Sequence, residues 1–388
     1  MKEDTKLAQL GRGLGGFEGT VNLPVYRAST ILSANAEAYE RRFDEDALFS
    51  NVTYGANGTQ NARALSEAIA AIENAEFSIV TASGLSAISM TLSTLLSAGD
   101  HLLMTDSTYG PTRRFCDEVL ARYGVETTYY DPTDDEETIQ ASIRSNTRLL
   151  YMEAPGSLTF EMQDIPSLSH IAKEHHLISV MDNTWATPLA FKPLDHGVDV
   201  SIQAGTKYIS GHSDLVIGFI SVNSDKLFRK IFSNTRAFGD VCGPDDCYLS
   251  LRGLRTLSLR LQRHGESALT IATWLSSHQY VERVLYPPLS TDPGHAIWKR
   301  DFSGGASLFG LILKDSSETA VKRFIDNLNY FHIGSSWGGY ESLVSFNRLD
   351  GLRSVTKRWN ESTYVVRLHI GLEDPFDLQN DLEQALTP

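Results

Sequence analysis

The chain has 388 residues but only three cysteines, too few for a disulfide framework. Cys242 and Cys247 have four residues between them and no second pair to match, so no metal site is expected. Basic runs are missing as well. The net charge is −14, which argues against a nucleic-acid or anionic-membrane surface as the main role. No uninterrupted apolar run approaches the roughly 20 residues of a membrane span. The opening stretch, MKEDTKLAQLGRGLGG, mixes charges and lacks an apolar core. A secreted chain is therefore not expected, and a cytoplasmic one is. Internal repeats and low-complexity segments are also absent from the sequence. The one formal glycine fingerprint, Gly11-x-Gly13-x-x-Gly16, follows no strand pattern and opens no convincing helix. Without that context it does not support dinucleotide binding.

What is present is apolar substance: 41% of residues are hydrophobic and 21% charged, enough for a large core and roughly two domains. Residues 1–58 read as an irregular arm, with turn-formers in NLPVYRAST and NVTYGANGTQN. Such an arm is expected to pack on a neighbouring subunit. From residue 59 to 253 strand and helix patterns alternate. FSIVTA, HLLMTD, VETTYY, TRLLYMEA, LISVMD and VDVSIQ read as strands, with helices such as LSAISMTLSTLLSAG and SLSHIAKEHH between them. Alternation of this kind predicts an α/β fold with a mostly parallel sheet covered on both faces. From 254 to 388 a long helical pattern, isolated strands (SLFGLILK, YVVRLHI) and a terminal helix predict a smaller α+β domain.

Several chemically useful residues fall where strands should end. Lys207 follows VDVSIQ in QAGTKYISGHSD, at the edge where an α/β sheet delivers functional groups. A lysine is ordinarily a solvated surface charge, but one held there and partly desolvated becomes an amine nucleophile. Ser83-Gly84 precedes a helix whose amides could hold a phosphate. Asp182 ends LISVMD, where a carboxylate needs a cation such as a protonated ring nitrogen. The ring of Tyr109, in TDSTYG, could stack on a flat cofactor. Taken singly, Gly84 also reads as a turn, Asp182 as a cap or loop acid and Tyr109 as a core aromatic. Together they form the set that pyridoxal 5'-phosphate requires.

The segment MDNTWATPLAFKPLDHGVDVSIQAGTKYISGHSD resembles the Cys/Met-metabolism family of pyridoxal-phosphate enzymes. TDSTYGPTRRFCDEVL, MEAPGSLTFEMQDIP, SLRGLRTLSLRLQRH, GHAIWKRDFSG and VRLHIGLEDPFDL extend the resemblance over almost the whole chain. Pro155-Gly156-Ser157 and Ser336-Trp337-Gly338-Gly339-Tyr340-Glu341-Ser342 look like its β-lyase branch. The resemblance implies the aspartate-aminotransferase-like fold, type I of these enzymes, and a homotetramer built as a dimer of dimers. It implies that Lys207 carries the cofactor and is the base on the substrate Cα. By the same likeness Asp182 holds the pyridinium, Tyr109 stacks on the ring and takes part in catalysis, and Gly84, Leu85 and Thr206 cradle the phosphate. Arg367 grips the substrate α-carboxylate beside Trp337 and Ser336. Tyr54 reaches across the subunit boundary to the partner's cofactor and substrate.

Two positions depart from the family pattern. Ala56-Asn57 follows Tyr54-Gly55 where an arginine normally clamps the phosphate, and Ser335 stands where the β-lyase branch has a tyrosine. The implied activity is carbon–sulfur β-elimination from an amino-acid thioether. The alternatives are a lyase for cysteine, cystine or an S-conjugate and, from another class, a catalytically weak binding or regulatory protein of the same fold.

Overall fold

In the computed structural model of the chain, the described residues are all except 13–18, 43, 45–48, 50, 350–351, 357–358, 360–362 and 388. Gly13 and Gly16 of the amino-terminal glycine pattern thus lie outside them. Seven strands build the larger sheet: β1 (Phe77–Thr81), β2 (His101–Thr105), β3 (Glu126–Tyr130), β4 (Thr147–Glu153), β5 (Ile178–Asp182), β6 (Val200–Gln203) and β7 (Gly218–Val222). Their spatial order is β1-β7-β6-β5-β4-β2-β3. Pairs within β6-β5-β4-β2-β3 are parallel, while β7 runs antiparallel to both β1 and β6. Every residue of β2, β6 and β7 is buried, as expected where helices cover both faces of a sheet.

The reversed strand β7 is the one element of this sheet that the sequence pattern does not announce. Residues 204–217 connect β6 to β7 without a helix, whereas parallel neighbours are usually joined through one. The chain therefore turns back, and the returning loop carries Lys207. Local chemistry sets other boundaries. Ser83 caps the helix Gly84–Leu95 by accepting from Ser86 N, and Asn74 closes Gln60–Glu73 in the left-handed region, a position asparagine tolerates.

Five further strands form the second sheet: β8 (Val281–Leu285), β9 (Leu308–Leu313), β10 (His332–Ile333), β11 (Leu343–Arg348) and β12 (Tyr364–His369). The order is β10-β11-β12-β9-β8, antiparallel except for β10-β11. A 20-residue helix, Leu257–Ser276, precedes it and the helix Pro375–Leu386 ends the chain. Among the described residues no helix is long and apolar enough to cross a membrane.

Candidate active site

β5 and β6 deliver their special residues to one edge. Asp182 is the last residue of β5, and Lys207 lies in the turn just after β6. Thr184 links them. Its amide and hydroxyl donate to Asp182 Oδ1 at 3.0 and 2.5 Å, and its hydroxyl accepts from Ala204 N at 2.8 Å. Arg260 braces the Lys207 turn from behind. Its guanidinium is buried, pairs with no carboxylate among the described residues, and donates to the carbonyls of Tyr208 (2.7 Å), Gly253 (2.7 Å) and Ile209 (3.3 Å). A buried charge is tolerable only when its donors are used in this way.

Lys207 meets the second sheet through the loop before β11. Its Nζ donates to Ser336 Oγ at 2.7 Å and stands 5.3 Å from the centroid of the Trp337 ring. Arg367, on β12, donates from Nη2 to Ser336 O at 3.2 Å. His369, two residues further along β12, holds that loop by facing Gly338 N and Gly339 O at 3.1 Å. Burial pushes the Lys207 ammonium down to about 8, helped by the Arg367 charge and opposed by Asp182. Burial likewise lowers Arg367 and raises Asp182, whose shift is moderated by the Thr184 hydrogen bonds and Lys207. The amine nearest the chemistry is thus the one most ready to lose its proton.

Tyr109 lies outside β2, at the start of the helix Gly110–Arg114, and is 43% exposed. Its amide donates to Glu153 Oε2 at 2.7 Å. Glu153 ends β4 directly opposite Asp182 in the sheet register. Burial, then the neighbouring Asp182 charge, raises the Glu153 carboxyl far above its usual range. The Tyr109 phenol is raised by burial, Asp182 and Glu153, against Arg367 and Arg114. Glu153 is a site residue that sequence reasoning missed, although it carries the same signal as Asp182: an acid at the carboxyl end of a strand.

The geometry fits pyridoxal phosphate at three points. Both Thr184 hydrogen bonds fall on Asp182 Oδ1, and among the described residues no hydrogen bond reaches Oδ2, leaving it for a pyridinium N–H. Gly84 and Leu85 open their helix, so their amides have no intrahelical acceptor, and Gly84 lies against the turn after β6: a Cβ on it would meet Ala204 Cβ at 2.5 Å. Lys207 brings an amine to the same edge. Thr206 is less free than expected, because its hydroxyl donates to Ile217 O at 3.2 Å and accepts from Ile217 N at 3.0 Å. Tyr54 is half exposed, and among the described residues no hydrogen bond joins it to the rest of the site. Ala56 is exposed, its carbonyl held by Arg236 Nη1 at 3.1 Å.

The chain is similar to known proteins over nearly its whole length. A cystathionine β-lyase of Bordetella avium is 40% identical over 369 residues, covering 94% of this chain and 92% of its own. An L-alanine/L-glutamate racemase of Wolbachia pipientis wMel is 40% identical over 396 residues, covering all of this chain and 97% of its own. The crystal structure of metB from Corynebacterium glutamicum superposes with a TM-score of 0.90 at 29% identity, covering all of this chain and 98% of that one. Residues 4–387 match the family described as Cys/Met metabolism PLP-dependent enzyme. The chain belongs to that family and is a pyridoxal-phosphate-dependent enzyme.

Proposed function

We propose that the chain is a cystathionine β-lyase, cleaving the Cβ–S bond of L-cystathionine to give homocysteine, pyruvate and ammonia. The observation that carries the reading is the meeting of Lys207, Asp182 and Arg367 around one sheet edge, with Lys207 and Arg367 both bonded to Ser336. Pyridoxal phosphate bound there supplies an electron sink for charge developing at Cα. Arg367, flanked by the buried Val366 and Leu368, holds the substrate α-carboxylate with its guanidinium fork. Lys207, lowered to about 8, has a neutral fraction at physiological pH and takes the Cα proton. Those C–H electrons become the Cα=Cβ bond as the thiolate leaves Cβ. Hydrolysis of the three-carbon fragment then yields pyruvate and ammonia. Asp182 Oδ2 keeps the ring nitrogen protonated, Tyr109 covers the ring, and the amides of Gly84 and Leu85 hold the phosphate with Thr206 beside them. Trp337 and Ser336 wall the carboxylate end.

Lys207→Ala protein should keep its fold and bind added cofactor without turning substrate over. Multiple turnover by that variant at saturating cofactor would refute the assignment.

A second reading rests on the racemase-named relative, which aligns with the whole chain. Removal of the Cα proton and its return to the opposite face racemises an amino acid that has no leaving group at Cβ. Chiral analysis after incubation with L-alanine tests it. Cysteine, cystine and S-conjugates remain sister substrates of the same elimination.

The assembly belongs to the same proposal. It is a cytoplasmic homotetramer in which residues 1–58 of one subunit, Tyr54 included, complete the site of its neighbour, residues 59–253 bind the cofactor and residues 254–388 form the smaller domain. Val21, Leu32, Tyr39 and Tyr54 support it, as apolar or aromatic side chains exposed along the arm. Light scattering that finds an active monomer would contradict it.

A further inference from the structure

Asp106 follows β2 directly and is fully buried. Its carboxylate is held mainly by a segment about 250 residues later in the chain. Oδ1 accepts from Ser354 N and Ser354 Oγ, both at 2.9 Å. Oδ2 accepts from Thr356 N at 2.8 Å, Val355 N at 3.1 Å and Ser354 N at 3.2 Å. Arg113 closes the set by pairing with Oδ1. Burial alone would raise this carboxyl, but the amides of Ser354, Thr356 and Val355 outweigh it and bring it down to about 2. The next residue back, Arg353, donates to Ser157 O at 2.6 Å and Thr159 Oγ1 at 2.8 Å, and Ser157 N donates to Ser107 O at 2.7 Å.

Arg353–Thr356 belongs to the connection between β11 and β12 in the second sheet. Asp106 and Ser157 belong to loops at the carboxyl edge of the first. One of these loops carries Tyr109, three residues beyond Asp106, and the strand that the connection enters carries Arg367. A buried carboxylate of this kind adds little stability over an apolar filling, but it specifies one arrangement. Three successive amides converging on one acid fix the segment's register, since a shift by one residue would leave buried donors unpaired.

We propose that Asp106 is a positioning residue: by docking Arg353–Thr356 it fixes the spacing between Arg367 and the Tyr109 loop. This rests on reading Arg367 as the carboxylate-holding residue. The test is steady-state kinetics and visible circular dichroism of the bound cofactor in holoenzyme carrying Asp106→Asn, Ser354→Ala or Arg367→Leu. Asp106→Asn should lower kcat/KM about tenfold, chiefly through KM, and weaken the cofactor's dichroic band. Ser354→Ala, which removes one hydroxyl and keeps the amides, should lower kcat/KM about threefold. In an Arg367→Leu background the Asp106→Asn effect should shrink, because it acts through Arg367. Arg367→Leu alone should raise KM about 30-fold or more. If it does so while folded Asp106→Asn and Ser354→Ala proteins keep wild-type kcat/KM and dichroism, the docking role is overturned. Should Asp106→Asn not fold, Ser354→Ala decides by the same criterion. An unmoved KM in Arg367→Leu overturns instead the reading on which the proposal rests, and the proposal with it.

Discussion

Ser336 joins Lys207 to Arg367: its hydroxyl takes a 2.7 Å hydrogen bond from Lys207 Nζ and its carbonyl a 3.2 Å bond from Arg367 Nη2. The residue has φ +81°, a region that L side chains other than asparagine and aspartate seldom enter. Strain of that kind is maintained where it serves a site. Here it aims a hydroxyl at one sheet's lysine and a carbonyl at the other sheet's arginine.

Ser336→Ala keeps the carbonyl and removes the hydroxyl. Loss of a hydrogen bond to a charged amine is worth about 1.5–3 kcal/mol, at the lower end here because water can replace it. The expected result is a fall in kcat of about tenfold with KM little changed, measured on cofactor-saturated enzyme. A change confined to KM would show that the hydroxyl serves substrate binding rather than Lys207.

The lowered ammonium of Lys207 sets a pH window. Below about 8 the amine is protonated, and above it the amine is neutral and reactive. Attachment of pyridoxal phosphate to cofactor-free protein, followed by absorbance, should accelerate about tenfold per pH unit up to 8 and then level off. Folding stability carries the same sign. Between about 8 and 10.5 the unfolded lysine binds a proton that the native one does not, so this group's contribution rises with pH across that window. Arg367→Leu removes the charge that lowers Lys207 after burial and should shift the midpoint upward. A midpoint near 10 in the native protein would contradict the burial argument.

Gly338 presses on the lysine turn. A Cβ there would lie 2.7 Å from Lys207 C and Tyr208 N, and φ is +88°. Both features oppose a side chain, and the colliding atoms are backbone. Gly338→Ala should destabilise by about 2–4 kcal/mol and reduce activity further in whatever fraction folds. An alanine variant with unchanged melting temperature and kcat would mean that the loop retreats from Lys207 without consequence.

Much of this site could be read from residue patterns. Asp182 and Lys207 fall at strand ends, and Ser83-Gly84 opens a helix, because apolar periodicity marks where strands stop. The reversal of β7 was not legible: its direction depends on a fourteen-residue connection that forms no crossover helix, and an irregular loop leaves no periodic trace. Glu153 could have been found by the rule that found Asp182. Docking of Ser354–Thr356 onto Asp106 could not, since three backbone amides meeting one carboxylate across 248 to 250 positions have no sequence signature. Arg260 lay hidden for a related reason: its acceptors are carbonyls, which every residue has.

By the family resemblance, Ala56 takes the position of an arginine that would clamp the cofactor phosphate across the proposed dimer. The side chain is exposed here, so a longer one has room. A charge-assisted bond to phosphate is worth roughly 1.5–3 kcal/mol, or about 10- to 150-fold in retention. Ala56→Arg should therefore slow cofactor loss on dialysis by about that factor and change kcat less. Equal loss rates would mean that Ala56 does not face a phosphate.

The most direct measurement is the identity of the oxo acid released from L-cystathionine by purified enzyme with excess pyridoxal phosphate. Cleavage at Cβ gives pyruvate with an equal yield of homocysteine, and that is the expected result. Release of 2-oxobutyrate with cysteine would place the cleavage at the γ-carbon and contradict the assignment.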